Sequence, residues 1–320
     1  MKFKHIAVTT LCTLVLLPAV SAVAQVVNPQ PVSASSPQTT PPIAQRNATP
    51  ALWVVKDSDT TIYLFGTFHL LPAGLNWNLG AVKTAFDSAD TLKLEIANLE
   101  AETPAIQAIM VEKSKLPTGQ TLRDGLTDAQ KQKLALVISD AGIPPDALNT
   151  TRPWVASMVL AITLYQKLGL DPNKGVDKTL DGLARTRGIA VEGFESGAEQ
   201  IGFFASLNPE QERSLLLATL EDWDKAKPML NQMVNAWSRG DANRIGSILS
   251  DSLRNQPDLA RVLLTDRNAR WADWIGSRMA TPGTVFVAVG AGHLAGRDSV
   301  QNYLRKKGLR ARRVANPATR

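Results

Sequence analysis

Short apolar runs typical of β-strands are few in this sequence, and long helical patterns separate most of them. Two neighbouring runs flank Lys56-Asp57-Ser58-Asp59, which predicts a hairpin, and the full set of predicted strands is 52–55, 61–65, 91–96, 189–194 and 284–289. Apolar residues at helical spacing occupy most of the remainder, over 128–141, 153–168, 176–187, 209–225, 229–239, 241–254 and 257–280. Short strands between long helices predict an α/β fold, a central sheet with large helical insertions.

The first 24 residues have the pattern of a secretory signal peptide. Two lysines precede the apolar run 6–17, and Ala22-Val23-Ala24 has the small-x-small form of a cleavage site. The run is shorter than the roughly 20 residues that span a membrane, and no later stretch is long enough. We therefore expect a periplasmic or secreted protein, cleaved near Ala24, with no transmembrane span. Cys12, the only cysteine, lies in this signal, so a metal site would need histidines and carboxylates.

The remaining chain divides by composition into a linker, one domain and a short tail. Residues 25–50 are rich in Pro, Ser and Thr and predict a solvated linker, 51–315 form the folded domain, and 316–320 are expected to be a disordered tail. The formal charge of +6 comes from the two ends, because the part between them carries more Asp and Glu than Lys and Arg. Nucleic-acid binding by the domain is therefore not expected. The oligomeric state is left open.

Two of the predicted strands are followed by the same short pattern. It reads Gly66-Thr67-Phe68-His69-Leu70 after the first and Gly290-Ala291-Gly292-His293-Leu294 after the second. His69 and His293 are the only histidines outside the predicted signal. Ligand sites in α/β sheets lie where strands end, and a glycine there lets the backbone approach a ligand closely. The matched pair therefore predicts a functional site rather than two structural histidines.

Carboxylates lie at the ends of two other predicted strands. Glu95 stands among apolar neighbours, and Glu195 comes just past its strand. Each could instead be a structural carboxylate in a salt bridge. Two imidazoles with one or two carboxylates suit a catalytic divalent metal ion that keeps open positions for water or substrate.

The helical pattern 257–280 adds a cation to this set. Arg267 falls on the same face as Leu263, Trp271 and Trp274, which are apolar and expected to be buried. A buried guanidinium needs a carboxylate or an anionic ligand. The alternative is that Arg267 simply pairs with an acidic residue in the core.

Taken together, these phrases resemble the TraB/GumN family, which includes the animal Tiki proteins and belongs with erythromycin-esterase-like and ChaN-like proteins. The matching phrases run in the family's order over about 52–308 and are Gly66-Thr67-Phe68-His69, Leu94-Glu95, Arg152-Pro153-Trp154, Gly175-Val176-Asp177, Gly193-Phe194-Glu195 followed by Gln200, Asp266-Arg267-Asn268, and 289–296. The resemblance implies a sheet of two related halves, each with a Gly-x-x-His strand end. It also implies a metal-dependent hydrolase, because Tiki-like members act as proteases with manganese- or cobalt-type ions.

The resemblance also assigns roles by position. It makes His69, His293, Glu95 and Glu195 the candidate metal or catalytic residues, with Arg267 and Asn268 as an associated polar pair and Gly66, Gly290 and Gln200 in support. The expected ion is Mn or Co, with Zn or Fe also compatible. One glutamate would ligate the ion and the other act as general base, in either order, while Arg267 stabilises the oxyanion.

Three functions are consistent with this sequence. The first is an exported divalent-metal-dependent hydrolase, for example a peptidase, acting on a peptide or small-molecule substrate. The alternative is a non-enzymatic envelope binding protein that captures a peptide, metal or haem-like ligand in the same crevice. The third is a structural envelope factor that uses the linker and the basic C-terminal segment.

Overall fold

The computed structural model describes residues 46–254 and 256–316. The predicted signal peptide, its cleavage site, most of the predicted linker and the last four residues of the predicted tail lie outside these residues. Within them, no helix has both the length and the apolar character needed to cross a membrane. Two contacts lie just outside the predicted domain: Arg46–Asn47 pairs with another strand, and Asn316 Oδ1 accepts the backbone N–H of Ala81 at 3.1 Å.

The central feature is a mixed, six-stranded sheet. In chain order the strands of the molecule are β1 (Arg46–Asn47), β2 (Leu52–Lys56), β3 (Thr60–Thr67), β4 (Leu71–Pro72), β5 (Leu75–Asn76), β6 (Thr91–Leu94), β7 (Leu170–Asp171), β8 (Ala190–Gly193), β9 (Gly283–Gly290) and β10 (Arg312–Arg313). The sheet order is β10-β2-β3-β9-β6-β8, and two further pairs, β1-β5 and β4-β7, lie outside it. β2 and β3 form the predicted antiparallel hairpin, whereas β3, β9, β6 and β8 are parallel.

Helices make up most of the remaining structure. They are α1 (Gly80–Asp87), α2 (Leu99–Lys113), α3 (Asp128–Ala141), α4 (Pro153–Lys167), α5 (Val176–Arg187), α6 (Gly197–Ala205), α7 (Pro209–Asp222), α8 (Ala226–Ser238), α9 (Ala242–Leu253), α10 (Pro257–Ala260), α11 (Asp266–Arg278) and α12 (Val300–Lys306). Short 3₁₀ turns cover Pro172–Lys174, Trp223–Lys225 and Ala291–Leu294, and a π-helical turn covers Arg261–Thr265. The expected α/β class, with a central sheet and many helices, is confirmed.

Buried apolar side chains cover both faces of the sheet. Along β3 and β9 successive residues alternate between two core clusters, as the pleat of a strand requires. The larger cluster includes Phe65 and Phe286 together with residues of α1–α9. The smaller cluster includes Leu64 and Val287 and is closed by α11 and α12. Strands buried on both faces are typical of parallel sheets and leave the strand ends as the place where polar side chains can meet.

Candidate functional site

The two repeated histidine patterns leave the sheet side by side. β3 and β9 are adjacent and parallel, with Thr67 opposite Gly290, so both chains turn away at the same edge. The 3₁₀ turn Ala291–Leu294, which carries His293, lies close against Gly66. A Cβ atom at Gly66 would stand 3.0 Å from Ala291 Cα, a contact so tight that the backbone of the second pattern would have to shift. The glycine of the first pattern therefore makes room for the second.

The two glutamates are brought together at the ends of β6 and β8. Beyond the strands, the pairing continues through the backbone N–H of Glu195, which donates to the carbonyl of Glu95 at 2.9 Å. Gly193 permits this approach, since a Cβ atom there would lie 2.7 Å from the backbone nitrogen of Ala97. Glu95 and Glu195 are only 6% and 8% exposed, so each needs partners inside the protein.

Arg267 from α11 is the common partner of both carboxylates. Its Nη2 donates to Glu95 Oε2 at 2.6 Å and to Glu195 Oε2 at 2.8 Å, and its Nε reaches the Glu195 oxygens at 2.9 and 3.0 Å. Its Nη1 donates to the carbonyl of Leu263, in the π-helical turn, at 3.1 Å. Arg267 is 1% exposed. The apolar face predicted for this residue is thus confirmed, and its charge is balanced by the two glutamates themselves.

Other donors complete the carboxylate environment. Gln200 Nε2 donates to Glu95 Oε2 at 3.1 Å and to Glu195 Oε2 at 2.9 Å, and the half-exposed Arg270 donates to Glu195 Oε1 at 3.1 Å. The backbone N–H of Gly290 donates to Glu95 Oε1 at 2.7 Å. Among the described residues, Glu95 Oε1 is therefore the one carboxylate oxygen of the pair that receives a single N–H donor.

His293 is fully buried and held in one tautomer. Asn268 Nδ2 donates to the backbone carbonyl of Asp298 at 2.7 Å, so Asn268 Oδ1 faces His293 Nδ1, at 2.6 Å, as an acceptor. With the hydrogen on Nδ1, the Nε2 lone pair accepts from Arg267 Nη1 at 3.2 Å. Burial, together with the positive charges of Arg267 and His69, holds the pKa of His293 well below its ordinary value. His293 is therefore neutral and belongs to the set of side chains hydrogen-bonded around Arg267, which we call the Arg267 network: Glu95, Glu195, Gln200, Asn268 and His293.

His69 has different surroundings. Its Nδ1 lies 2.7 Å from Oδ2 of Asp177, at the start of α5, and Thr67 Oγ1 donates to Asp177 Oδ1 at 2.5 Å. The side chain of His69 is 14% exposed, and its Nε2 has no hydrogen-bond partner among the described residues. Burial lowers the pKa of His69, but the charge and hydrogen bond of Asp177 outweigh burial and raise it to about 9. His69 therefore carries a proton at neutral pH, with Nε2 available to a ligand.

The two histidines predict opposite changes of stability with pH. The pair of His69 with Asp177 stabilises the fold fully below about pH 6.5, and this contribution, up to about 3 kcal/mol, is lost as the pH rises through about 9. Neutral His293 makes the fold less stable at low pH. Below pH 6.5, the ordinary pKa of histidine, the unfolded chain binds a proton at this residue, whereas the buried imidazole of the folded protein does not. We expect urea unfolding between pH 5 and pH 10 to give greatest stability near pH 6.5.

Single variants separate the two contributions. His69→Gln should flatten the alkaline fall in the free energy of unfolding, and His293→Gln should flatten the acid fall. The charge of His69 also lowers the pKa of His293 and of Asp177, so the alkaline limb of His69→Gln and the acid limb of His293→Gln are the parts of the curves that report each histidine. An alkaline limb that His69→Gln leaves unchanged would contradict this assignment.

The donors do not form the predicted metal site in this arrangement. In the described part of the chain, no group of three or more His, Cys, Asp or Glu side chains could hold a metal ion. The lone pairs that would bind a metal ion already accept hydrogen bonds. Arg267 donates to His293 Nε2 and to oxygens of both glutamates, and Gln200 and the Gly290 N–H are further donors. His69 lies apart from this contact network, paired with Asp177. The predicted ligands are thus neighbours, but they converge on a guanidinium.

Most of the residues predicted for the site come together. Glu95, Glu195, Arg267, His293, Asn268, Gln200 and the Gly290 N–H form one network, with His69 beside it and Gly66 shaping the turn. Three contributors were not predicted: Thr67, Asp177 and Arg270. Asp177 belongs to the segment Gly175-Val176-Asp177 and lies in the first turn of α5, where the helix dipole stabilises a carboxylate.

Known proteins similar to this chain include two uncharacterized bacterial proteins. The chain is 28% identical over 256 residues to the uncharacterized protein YbaP of Escherichia coli (strain K12), which covers 80% of this chain and 92% of that protein. It is 22% identical over 276 residues to an uncharacterized protein of Treponema pallidum (strain Nichols), covering 80% of each. No solved structure gives a significant match. The TraB/PrgY/gumN family model matches residues 51–313, and the chain therefore belongs to the TraB/PrgY/gumN family.

Proposed function

We propose that this protein is a hydrolase in which His69 exchanges a proton with the substrate. The observation that carries the proposal is the Nε2 atom of His69, which has no hydrogen-bond partner among the described residues, on a partly exposed imidazole that Asp177 orients through Nδ1. A histidine fixed by a carboxylate on one nitrogen and open on the other is suited to general acid–base catalysis. The expected substrates are peptides or small molecules with an ester or amide bond.

The charge state of His69 indicates which step it performs. With a pKa of about 9, its imidazole is cationic at neutral pH and can donate a proton to a leaving group or stabilise an oxyanion. The charges of Glu95 and Arg267 also act on the pKa of His69, which indicates that the pair of His69 and Asp177 shares one polar region with the Arg267 network. His69 is therefore proposed as the general acid.

Glu95 is proposed as the general base. Within the described part of the chain, Glu95 Oε1 receives only the Gly290 N–H and lies 3.8 Å from His293 Nε2, whereas the oxygens of Glu195 each have two or more donors. A lone pair on Oε1 can accept a proton from an attacking water molecule. Glu195 would instead hold Arg267 in place. Two carboxylates with different surroundings can serve different roles in this way.

The proposal retains an exported protein built from two related halves. Each half would supply one Gly-x-x-His strand end, and the strands that carry them, β3 and β9, are neighbours. The composition of the first 24 residues supports export to the periplasm or beyond. In this view the two histidines have diverged, because His69 keeps a free Nε2 and His293 uses both nitrogens inside the network.

A binding protein without catalysis is the second candidate. It is favoured by the many hydrogen bonds within the network, since Glu195, Gln200, Asn268 and His293 bond one another, the two arginines, Glu95 or the Asp298 carbonyl. A fully satisfied network holds its shape without exchanging protons. In this alternative His69 would contribute a fixed positive charge for an anionic group of the ligand.

Hydrolysis of a panel of peptides and esters by the wild type and by His69→Gln tests the proposal. The variant should lose at least about 100-fold in kcat/KM, because a general acid contributes that much, and should keep its circular dichroism spectrum. Lys131→Gln, an exposed change on α3, is the control and should keep full activity. Turnover that His69→Gln leaves intact would refute the proposal. Saturable binding without turnover would establish the second candidate.

A further inference from the structure

We propose that Arg267 occupies the place that the histidine and glutamate pattern assigns to a divalent metal ion, so that a guanidinium is the resident cation of this site. The inference concerns the same site as the proposed function. Its test measures metal binding and not turnover, so either idea can fail while the other stands. It predicts that the native protein excludes divalent ions and that removal of Arg267 creates a metal site.

The geometry around the guanidinium is that of a shared cation. One nitrogen, Nη2, bonds Glu95 Oε2 at 2.6 Å and Glu195 Oε2 at 2.8 Å, while Nη1 lies 3.2 Å from His293 Nε2. Two carboxylate oxygens and an unprotonated imidazole nitrogen thus point at one positive group. These are the donor types that Mn, Co and Zn bind in proteins, at the shorter distances of about 2.0 to 2.2 Å.

Arg267 cannot easily move aside for an ion. It is 1% exposed, its guanidinium lies over the ring of Trp271 with 4.9 Å between the carbon and the ring centre, and Nη1 also holds the carbonyl of Leu263. Burial lowers the pKa of Arg267, but the charges of Glu95 and Glu195 outweigh burial and raise it, so the residue stays charged. A π-helical turn immediately before α11 places this side chain, as such turns often do at functional sites.

A dication beside this guanidinium would be strongly repelled. The Coulomb repulsion between a dication and a single positive charge about 4 Å away lowers the affinity for the ion by far more than 100-fold, even with an effective dielectric constant of about 20. Replacing Arg267 by methionine removes the charge and keeps a chain of similar length. The two glutamates and His293 are then left with an uncompensated negative charge, which a divalent ion can neutralise.

Titration with Co²⁺ decides the proposal, because Co²⁺ reports its ligands by visible absorption. Wild-type protein should show no protein-bound cobalt spectrum, and Arg267→Met should saturate at one equivalent, with at least about 100-fold tighter binding than wild type. Cobalt should also raise the Tm of Arg267→Met and leave that of the wild type unchanged. Stoichiometric cobalt in the wild type would overturn the proposal, and so would the absence of binding in folded Arg267→Met.

Two controls make the result specific. Arg270→Met removes another arginine that contacts Glu195, but Arg270 is half-exposed and touches neither Glu95 nor His293, so this variant should bind no cobalt. Arg267→Met/Glu95→Gln should lose the site that Arg267→Met gains. If Arg267→Met is unfolded alone, circular dichroism during refolding with Co²⁺ decides, because the proposal requires the ion to restore the fold and a failure to do so would refute it.

Discussion

Arg152→Met should lower the free energy of unfolding by about 3 to 5 kcal/mol, because it leaves a buried carboxylate without its counter-ion. Glu212 of α7 is 3% exposed, and Arg152 Nε donates to its Oε1 at 3.1 Å, with a second contact from Nη2. The same guanidinium also donates to the carbonyls of Ala205, at 3.2 Å, and Leu207, at 3.4 Å. One side chain therefore joins the start of α4 to α7 and to the chain that follows α6.

Urea unfolding measures this effect, with Arg185→Met as the matched control. Arg185 pairs with Asp181 on the surface of α5, and such i,i+4 pairs contribute only about 0.3 to 0.5 kcal/mol. The pKa of His69 should stay near 9 in Arg152→Met, since Arg152 is not among the charges that act on it. A loss in Arg152→Met no larger than that in Arg185→Met would show that Glu212 finds other partners.

The helices that the sequence predicted best are those with clear end signals. α3 and α5 have the predicted bounds, because Gly142 and Gly188 end them in the left-handed region, with φ of 73° and 71°. α2 was not predicted. It contains Pro104, begins after Asn98 at a φ of 51°, and buries few of its side chains, so its sequence lacks a clear apolar face. The predicted helix 257–280 is interrupted by a π-helical turn, which residue spacing alone does not indicate.

The site was predictable as a set of residues and not as a set of contacts. The repeated Gly-x-x-His pattern and the strand-end glutamates identified residues that lie at one edge of the sheet, because parallel strands bring their carboxyl ends together there. The cation that these residues contact is set by long-range pairs such as Glu95 with Arg267. These two residues are 172 positions apart, so local residue spacing does not predict their contact. The alternative considered for Arg267, a core salt bridge, is what forms, with the very glutamates expected to hold a metal ion.

Asp177→Asn should lower the pKa of His69 from about 9 to below 6.5. Burial lowers the pKa of this imidazole, and the charge and hydrogen bond of Asp177 are the main influences that raise it. Without them His69 is neutral at pH 7 and no longer serves as the proposed general acid. We therefore expect kcat to fall at neutral pH, with the about 10²- to 10⁴-fold that such a catalyst contributes as the upper limit. The asparagine keeps the size of the side chain, so the fold should persist.

Nuclear magnetic resonance titration of the histidine rings measures this pKa without any substrate, and the chain contains only three histidines. Asp181→Asn is the matched control, because Asp181 lies one turn further along α5 and pairs with Arg185. It should leave the pKa of His69 near 9. Thr67→Val, which removes only the hydrogen bond to Asp177 Oδ1, leaves the carboxylate charge in place and should also leave the pKa of His69 near 9. A His69 pKa that stays near 9 in Asp177→Asn would mean that the Arg267 network, and not Asp177, sets the charge of this histidine.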